Sequence, residues 1–394
     1  MKRTAKSGPR IVLLQTQAEN AGAQEIARIL GYGLQARGFD VHFAFFFRRT
    51  EGYDNAPGVF FGADSRPSGP RAAAQMALRV RRRIAALAPD AVMTFQHFGN
   101  VLGAPVARLA GAGPVIANLN TSLKALPYWV RAADWLLSAT GVYTRTIANS
   151  ASTAAEFRAL PPPFANRMLR IDHGFEPKPS ELSKEAARLA LDLPADAILL
   201  GMVGRLDAQK NQRALILLLS DNPTWHVALA GQGKTRGELE AMARDLRCHD
   251  RVHFVGELPP TRVGTFLKAL DVFVFASLRE TFGLAAVEAA NNAIPVVCHD
   301  LGVLREVLSV EGSPCARFAD ATDTQALATA VHDVLTDPEL AATLTARGRR
   351  LSDKYSLDSM VDAYVALLEA IGVRLPSPRE VNLETARSLA HSRF

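Results

Sequence analysis

Short apolar runs recur along the chain at 11–15, 41–47, 91–95, 115–118 and 146–149, separated by stretches of helix-forming composition. A second series follows at 198–204, 226–230, 252–255, 272–276 and 295–298. Runs this short and this largely apolar are what strands buried on both faces of a parallel sheet require. Regular alternation with helical stretches predicts an α/β fold with a parallel sheet in each series. Between the two series, Gly174, Pro177 and Pro179 mark a turn or linker. The pattern therefore predicts two doubly wound domains, residues 1–176 and 177–355, followed by a segment 356–394 whose tail from Pro376 is polar. At 394 residues the chain suits two such cores better than one. Two open α/β sheets facing each other would leave a cleft at the carboxyl ends of their strands, where ligands of such sheets bind.

The richest stretch joins the run at 272–276 to the helix-forming 284–291. It reads Arg279-Glu280-Thr281-Phe282-Gly283-Leu284, with Glu288 eight residues beyond Glu280. Glu280 is predicted in the loop at the strand's carboxyl end. Free N–H groups at a helix start, and a glycine without Cβ at Gly283, allow close approach of a diphosphate. Two carboxylates would repel that anion, so their useful partners are neutral donors such as sugar hydroxyls. A second stretch, Gly204-Arg205-Leu206 with Lys210, leaves the first strand of the second series. Arg205 can bind phosphate oxygens as a fork and Lys210 can add a point charge from another side. Such a pair could stabilise a departing diphosphate without a metal; the plainer reading is a helix-entry loop with surface charges.

Charge adds an asymmetry. The formal net charge is +6, yet residues 1–190 carry 24 Lys and Arg against 13 Asp and Glu, and the remainder 21 against 26. The densest cluster is Arg79, Arg81, Arg82 and Arg83 in a predicted helix over 72–87. It could meet anionic lipid headgroups or a phosphate-bearing acceptor, or be a solvated face. No basic and aromatic interleaving points to nucleic acid. Cys248, Cys298 and Cys315 have no metal-like spacing. No apolar run approaches the roughly 20 residues of a membrane span, and 11–14 is too short for a signal-peptide core, so a cytoplasmic protein is expected. The segment Gly231-Gln232-Gly233-Lys234-Thr235 ends like a P-loop, but Ala228 stands where its first glycine belongs. A P-loop kinase is therefore the weakest alternative.

Gly204-Arg205-Leu206 with Lys210, and Glu280-Thr281-Phe282-Gly283 with Glu288, together resemble the donor site of the retaining GT-B glycosyltransferases of family 4. The resemblance covers nearly the whole chain. Asn20-Ala21-Gly22 after the first strand is similar to the family's glycine pair, His97 to its strand-end histidine, Ser150 to its strand-end serine, and 171–174 to the segment before the crossover. The resemblance implies two Rossmann-like domains and a last helix, within 356–371, crossing back to the first. It implies that Arg205 and Lys210, with the Gly283 and Leu284 backbone and the adjoining Thr281 and Phe282, hold the diphosphate. Glu280 would hold the transferred sugar and Glu288 the ribose, with Gly22 admitting the phosphates and backbone near Val255 and Gly256 selecting the base. Asn120 lies where the family often has histidine, close to the sugar, and Ala21 where the first glycine is common.

The expected activity is metal-independent, retaining transfer of a hexosyl unit from a UDP- or GDP-sugar to a glycan or glycolipid hydroxyl. No cofactor and no metal ligands are expected, and no Asp-x-Asp triplet occurs. Peripheral contact with an anionic membrane surface is an expected partner interaction. Alternatives are a non-catalytic partner subunit, a natural-product glycosyltransferase and a sugar-nucleotide epimerase. Phe45, Tyr128 and Trp129 are as compatible with core as with an acceptor surface.

Overall fold

The computed structural model describes residues 8–19, 22–49 and 58–377. Asn20, Ala21 and most of the polar tail lie outside them. The chain divides into two compact units, one made of residues up to Gly174 and again from Leu357, the other of Phe175–Ser356.

The first unit is built on β1 (Arg10–Ala18), β2 (Asp40–Arg48), β3 (Val59–Ala63), β4 (Ala91–Phe95), β5 (Val115–Leu119), β6 (Arg145–Ala148) and β7 (Met168–Arg170). These form one sheet in the order β3-β2-β1-β4-β5-β6-β7, parallel throughout. The second unit has β8 (Ile198–Val203), β9 (Trp225–Ala230), β10 (Val252–Gly256), β11 (Val272–Phe275) and β12 (Val296–His299). A short hairpin of β13 (Ser309–Val310) and β14 (Ser313–Pro314) precedes β15 (Arg317–Ala319). The second sheet runs β10-β9-β8-β11-β12-β15, again parallel. In each sheet the order reverses beside the first strand, between β1 and β4 and between β8 and β11. Two Rossmann-like parallel-sheet domains are thus present, as the apolar runs predicted.

The central strands β4 and β5 are buried at every residue, which explains why they are apolar apart from Thr94 and Asn118. Sequence patterning missed β3, β7 and β15, all at sheet edges. β7 and β15 are three residues long and carry Arg170 and Arg317, so no apolar run announces them, whereas β3 is a five-residue apolar stretch that the pattern passed over. The arginine-rich helix begins two residues earlier than predicted, at Pro70, whose missing N–H costs nothing in a first turn. Its Arg79, Arg81, Arg82 and Arg83 are exposed. Phe45 is wholly buried, whereas Tyr128 and Trp129 are exposed.

The helix Leu357–Ala370 belongs to the first unit and packs on the helix Gly22–Ala36. A Cβ at Gly33 would come within 2.4 Å of Val361, so only glycine permits this approach. Arg37 reaches Asp358 at 3.1 Å and Asp362 at 2.7 Å. Tyr364 donates to Asn118 Oδ1 at 2.5 Å inside a buried network in which Asn118 Nδ2 donates to the Thr94 carbonyl. Among the described residues no helix is long and apolar enough to cross a membrane.

Candidate active site

β8 and β11 are neighbours in the middle of the second sheet, and the loops leaving their carboxyl ends carry the two strong motifs. Lys210 Nζ donates to Glu280 Oε1 at 2.5 Å, and Ser277 Oγ donates to the same oxygen at 2.7 Å. Both charged side chains are largely buried, and the ammonium also lies 5.3 Å from the centre of the Phe275 ring. Asp207 folds the first loop: its Oδ1 accepts from the Gln209 and Lys210 N–H groups at 3.0 and 3.3 Å, and its Oδ2 from Arg205 Nε at 3.2 Å. Gln209 ties the loops together, since its Nε2 donates to the Arg279 carbonyl and its own carbonyl accepts from Leu278 N. Gln212 Nε2 holds the Arg205 carbonyl at 2.8 Å. The Arg205 backbone is thereby fixed while its side chain remains 42% exposed.

The P-loop-like segment has a different job here. A Cβ at Gly231 would stand 2.0 Å from the Gly204 carbonyl oxygen, and one at Gly233 2.0 Å from that of Leu206. Leu206 N donates to the Gln232 carbonyl, and Thr235 N to the Leu206 carbonyl. The two glycines let one loop lie directly on the backbone of the Arg205 loop, which accounts for them without a P-loop. Gly256, at the end of β10, accepts from Gly231 N at 2.7 Å, joining Val255 and Gly256 to the same edge.

Gly283 has φ +87°, and a Cβ there would meet Leu304 at 2.6 Å. It opens the helix Leu284–Asn291. The Phe282 side chain is buried edge-on against Tyr355, with centroids 5.0 Å apart, so that side chain serves the core. Thr281 is half-buried beside it. Glu288, in the second turn of the helix, is only 6% exposed and its Oε1 accepts from Lys178 Nζ at 2.5 Å. Lys178 was read in the sequence only as part of a linker. A lysine between two prolines carries no motif, and nothing local marks it as the partner of a carboxylate 110 residues away.

In the first unit, His97 follows the left-handed Gln96 (φ +66°) just past β4. Burial pushes its imidazole below the ordinary value, favouring the neutral ring. Asn120 stands one residue past β5, and the pairing of Phe95 with Asn118 carries both residues past the same edge. His97 Nδ1 and both amide atoms of Asn120 are buried and have no hydrogen-bond partner among the described residues. The same holds for Gln15 and the Thr16 hydroxyl, where β1 parts from β4. Such groups are uncommon in native interiors and call for a partner. Gly22 begins its helix exposed, and an added Cβ would meet no described atom within 4 Å. Ser150 caps the helix Ala151–Arg158 through Thr153 N. His173, its pKa held down to about 3 by burial, takes a hydrogen bond at 3.0 Å from Asn149 Nδ2, which can only donate.

Comparison with known proteins places this arrangement. Residues 21–175 match the family model described as Glycosyltransferase Family 4, and residues 183–351 match Glycosyl transferases group 1. The chain belongs to glycosyltransferase family 4. Its relatives include the lipopolysaccharide core biosynthesis glycosyltransferase LpsE of Rhizobium meliloti, 32% identical over 183 residues, 46% of this chain and 52% of LpsE. Another is the lipopolysaccharide core biosynthesis mannosyltransferase LpsB of the same organism, 29% identical over 213 residues, 51% of this chain and 60% of LpsB. The chain thus spans about half the length of the curated relatives it matches. Among solved structures, HepE of Anabaena in complex with UDP and glucose superposes with a TM-score of 0.79 at 20% identity, covering 92% of this chain and all of HepE. The chain therefore has the GT-B fold of its structural neighbours.

Proposed function

We propose that the protein transfers a hexosyl unit, with retention and without a metal, from a UDP- or GDP-sugar to a hydroxyl of a glycan or glycolipid of the lipopolysaccharide or surface-polysaccharide type. The observation that carries this reading is the Lys210–Glu280–Ser277 cluster beside Arg205. It joins a diphosphate-suited cation to a sugar-suited carboxylate at 2.5 Å. The UDP and glucose in the HepE complex, and the lipopolysaccharide core biosynthesis in the names of LpsE and LpsB, support this choice of donor and acceptor class.

Arg205 and Lys210 take the diphosphate, with the N–H groups at the start of the Leu284–Asn291 helix assisting. Lys210 then shares its charge between phosphate and Glu280. Ser277 keeps Glu280 Oε1 anchored while that happens, and Oε2, which accepts nothing among the described residues, is left for sugar hydroxyls. Glu288, oriented by Lys178, accepts from the ribose hydroxyls, and Val255 and Gly256 border the base. In the first unit, Gly22 leaves room for a phosphate at the start of its helix, and His97 and Asn120 receive sugar hydroxyls. As the sugar–phosphate bond breaks, the leaving phosphate oxygen takes the proton of the acceptor hydroxyl that attacks from the same face. No side-chain nucleophile is required, so the protein contributes position and charge stabilisation.

Melting temperatures with UDP, GDP and ATP, each with and without Mg²⁺, test the donor site, because a ligand bound only to the native state raises the transition. A metal-independent rise with UDP or GDP that disappears in Glu288→Ala is the expected result. A rise confined to ATP with Mg²⁺ overturns it. Activity lost with a chelator and restored by Mn²⁺ would remove the metal-independent part.

A further inference from the structure

The helix Tyr128–Ala139 turns its apolar side outward. Tyr128 is 84%, Trp129 56%, Trp135 37% and Leu136 54% exposed, while the helix buries Val130, Asp134 and Ser138. A surface helix ordinarily does the reverse. Its one carboxylate, Asp134, is turned inward and accepts from the Tyr143 hydroxyl at 2.7 Å. Its one cation, Arg131, is bound to the Leu126 and Lys124 carbonyls. The outward stripe is therefore aromatic and aliphatic along its whole length.

The neighbouring elements extend this surface. Residues of the helix Pro70–Leu87, of 99–109 and of Tyr128–Ala139 pack into one core on the same side of the first sheet, and Arg81 Nε donates to the Leu109 carbonyl at 3.0 Å. Leu102 and Leu109 are 52% and 69% exposed between the two outer helices. The three segments contain seven arginines, and Asp134 is their sole acidic residue.

We infer that this face docks on an anionic lipid bilayer, seating Trp129, Trp135 and Leu136 at the headgroup boundary with the arginines of Pro70–Leu87 beside them. Indole and phenol rings favour that boundary, apolar side chains gain by entering it, and anionic headgroups match the arginines. A second copy of the chain is a poorer occupant, because a two-fold contact would bring the same arginines together. A soluble glycan could stack on Trp129, but it leaves Trp135 and Leu136, about 10 Å further along the helix, without a role. The stripe also leads to the site. Trp129 and Phe98 have ring centres 6.2 Å apart, and Phe98 and His97 4.3 Å. Docking would thus present a lipid-held acceptor to the edge where His97 and Asn120 stand. The inference rests on the glycolipid form of the proposed acceptor.

The full chain is tested by co-sedimentation with phosphatidylcholine vesicles with and without phosphatidylglycerol, and by tryptophan emission. Binding to the anionic vesicles with a blue shift is expected, and Trp135→Glu/Leu136→Glu should weaken it about tenfold or more. Arg82→Glu, a change of one exposed residue, should weaken it less and abolish its salt sensitivity in part. The UDP-induced rise in melting temperature should persist in both variants, which verifies folding and keeps the donor site separate. Wild-type protein that ignores anionic vesicles, or variants that bind them unchanged, overturn the inference. So does an emission change produced by a soluble acceptor glycan alone, or a dimer that the double variant converts to monomer. Loss of the UDP response in wild type would instead sink the donor reading.

Discussion

The carboxyl edges of the two sheets are finished differently. At the edge of the second sheet nearly every charged or polar side chain singled out by sequence has a protein partner: Lys210 with Glu280, Glu288 with Lys178, Arg205 with Asp207. At the edge of the first, His97 Nδ1, Asn120, Gln15 and the Thr16 hydroxyl are buried without partners among the described residues. A pre-paired edge holds charge in place before a ligand arrives, at the cost of desolvating ions that only good geometry repays. An unpaired edge stores unmet hydrogen-bonding capacity that a hydroxyl-rich ligand can satisfy. The contrast suits an anionic, chemically constant donor on one side and a neutral, variable acceptor on the other.

The contrast can be broken most severely at the pair of central cations and carboxylates. Glu280→Gln and Lys210→Met should each lower the transfer rate about 10²- to 10³-fold, as loss of preorganised charge stabilisation does elsewhere. Steady-state kinetics giving less than a tenfold drop for both would mean the cluster is merely structural. Next comes Lys178→Met, which leaves the buried Glu288 without its ammonium. Nucleotide affinity measured by calorimetry should fall about tenfold, and the melting temperature should fall with it. Adding Glu288→Gln should recover the melting temperature without recovering affinity, since the two residues form one coupled unit.

On the unpaired edge the pattern should invert. Asn120→Ala and His97→Asn should raise the acceptor KM several-fold, about 1 kcal/mol each, with little change in melting temperature or UDP affinity, because neither side chain has a hydrogen bond to lose among the described residues. A large loss of stability in either would show that these groups already have structural work. The smallest effect is expected at Asp134, whose carboxyl is pushed up to about 6 by burial from an ordinary 3.8. Its ionised form is penalised in the folded protein, so the native state binds the extra proton between those values and gains stability as pH falls through 6. Asp134→Asn should therefore raise the melting temperature at neutral pH, with the advantage shrinking towards pH 4. An advantage independent of pH would assign it to packing instead.

Much of this was legible in the sequence for a physical reason. Central strands of parallel sheets must be apolar on both faces, so β1, β4, β5, β8 and β11 announced themselves, and the reversals of strand order followed from two repeated βα series. The Arg205–Lys210 loop and the Glu280–Gly283 loop were visible because glycine and charge cluster where strands meet helices. The edge strands β7 and β15 stayed invisible because three residues that include an arginine have no periodicity to detect. Tyr128 and Trp129 could not be placed either, since an aromatic pair at a helix start looks the same buried or bare.

By itself the sequence determined the two parallel-sheet domains, the positions of the charged loops at strand ends and the family, because each rests on local composition and spacing. Only the tertiary structure decided that Lys178 belongs to Glu288, that Gly231 and Gly233 serve the backbone of the Arg205 loop, and that the Tyr128–Ala139 helix faces outward with its rings. Partnership across a hundred residues and the direction of a helix face depend on how elements pack, and no local stretch of chain carries that information.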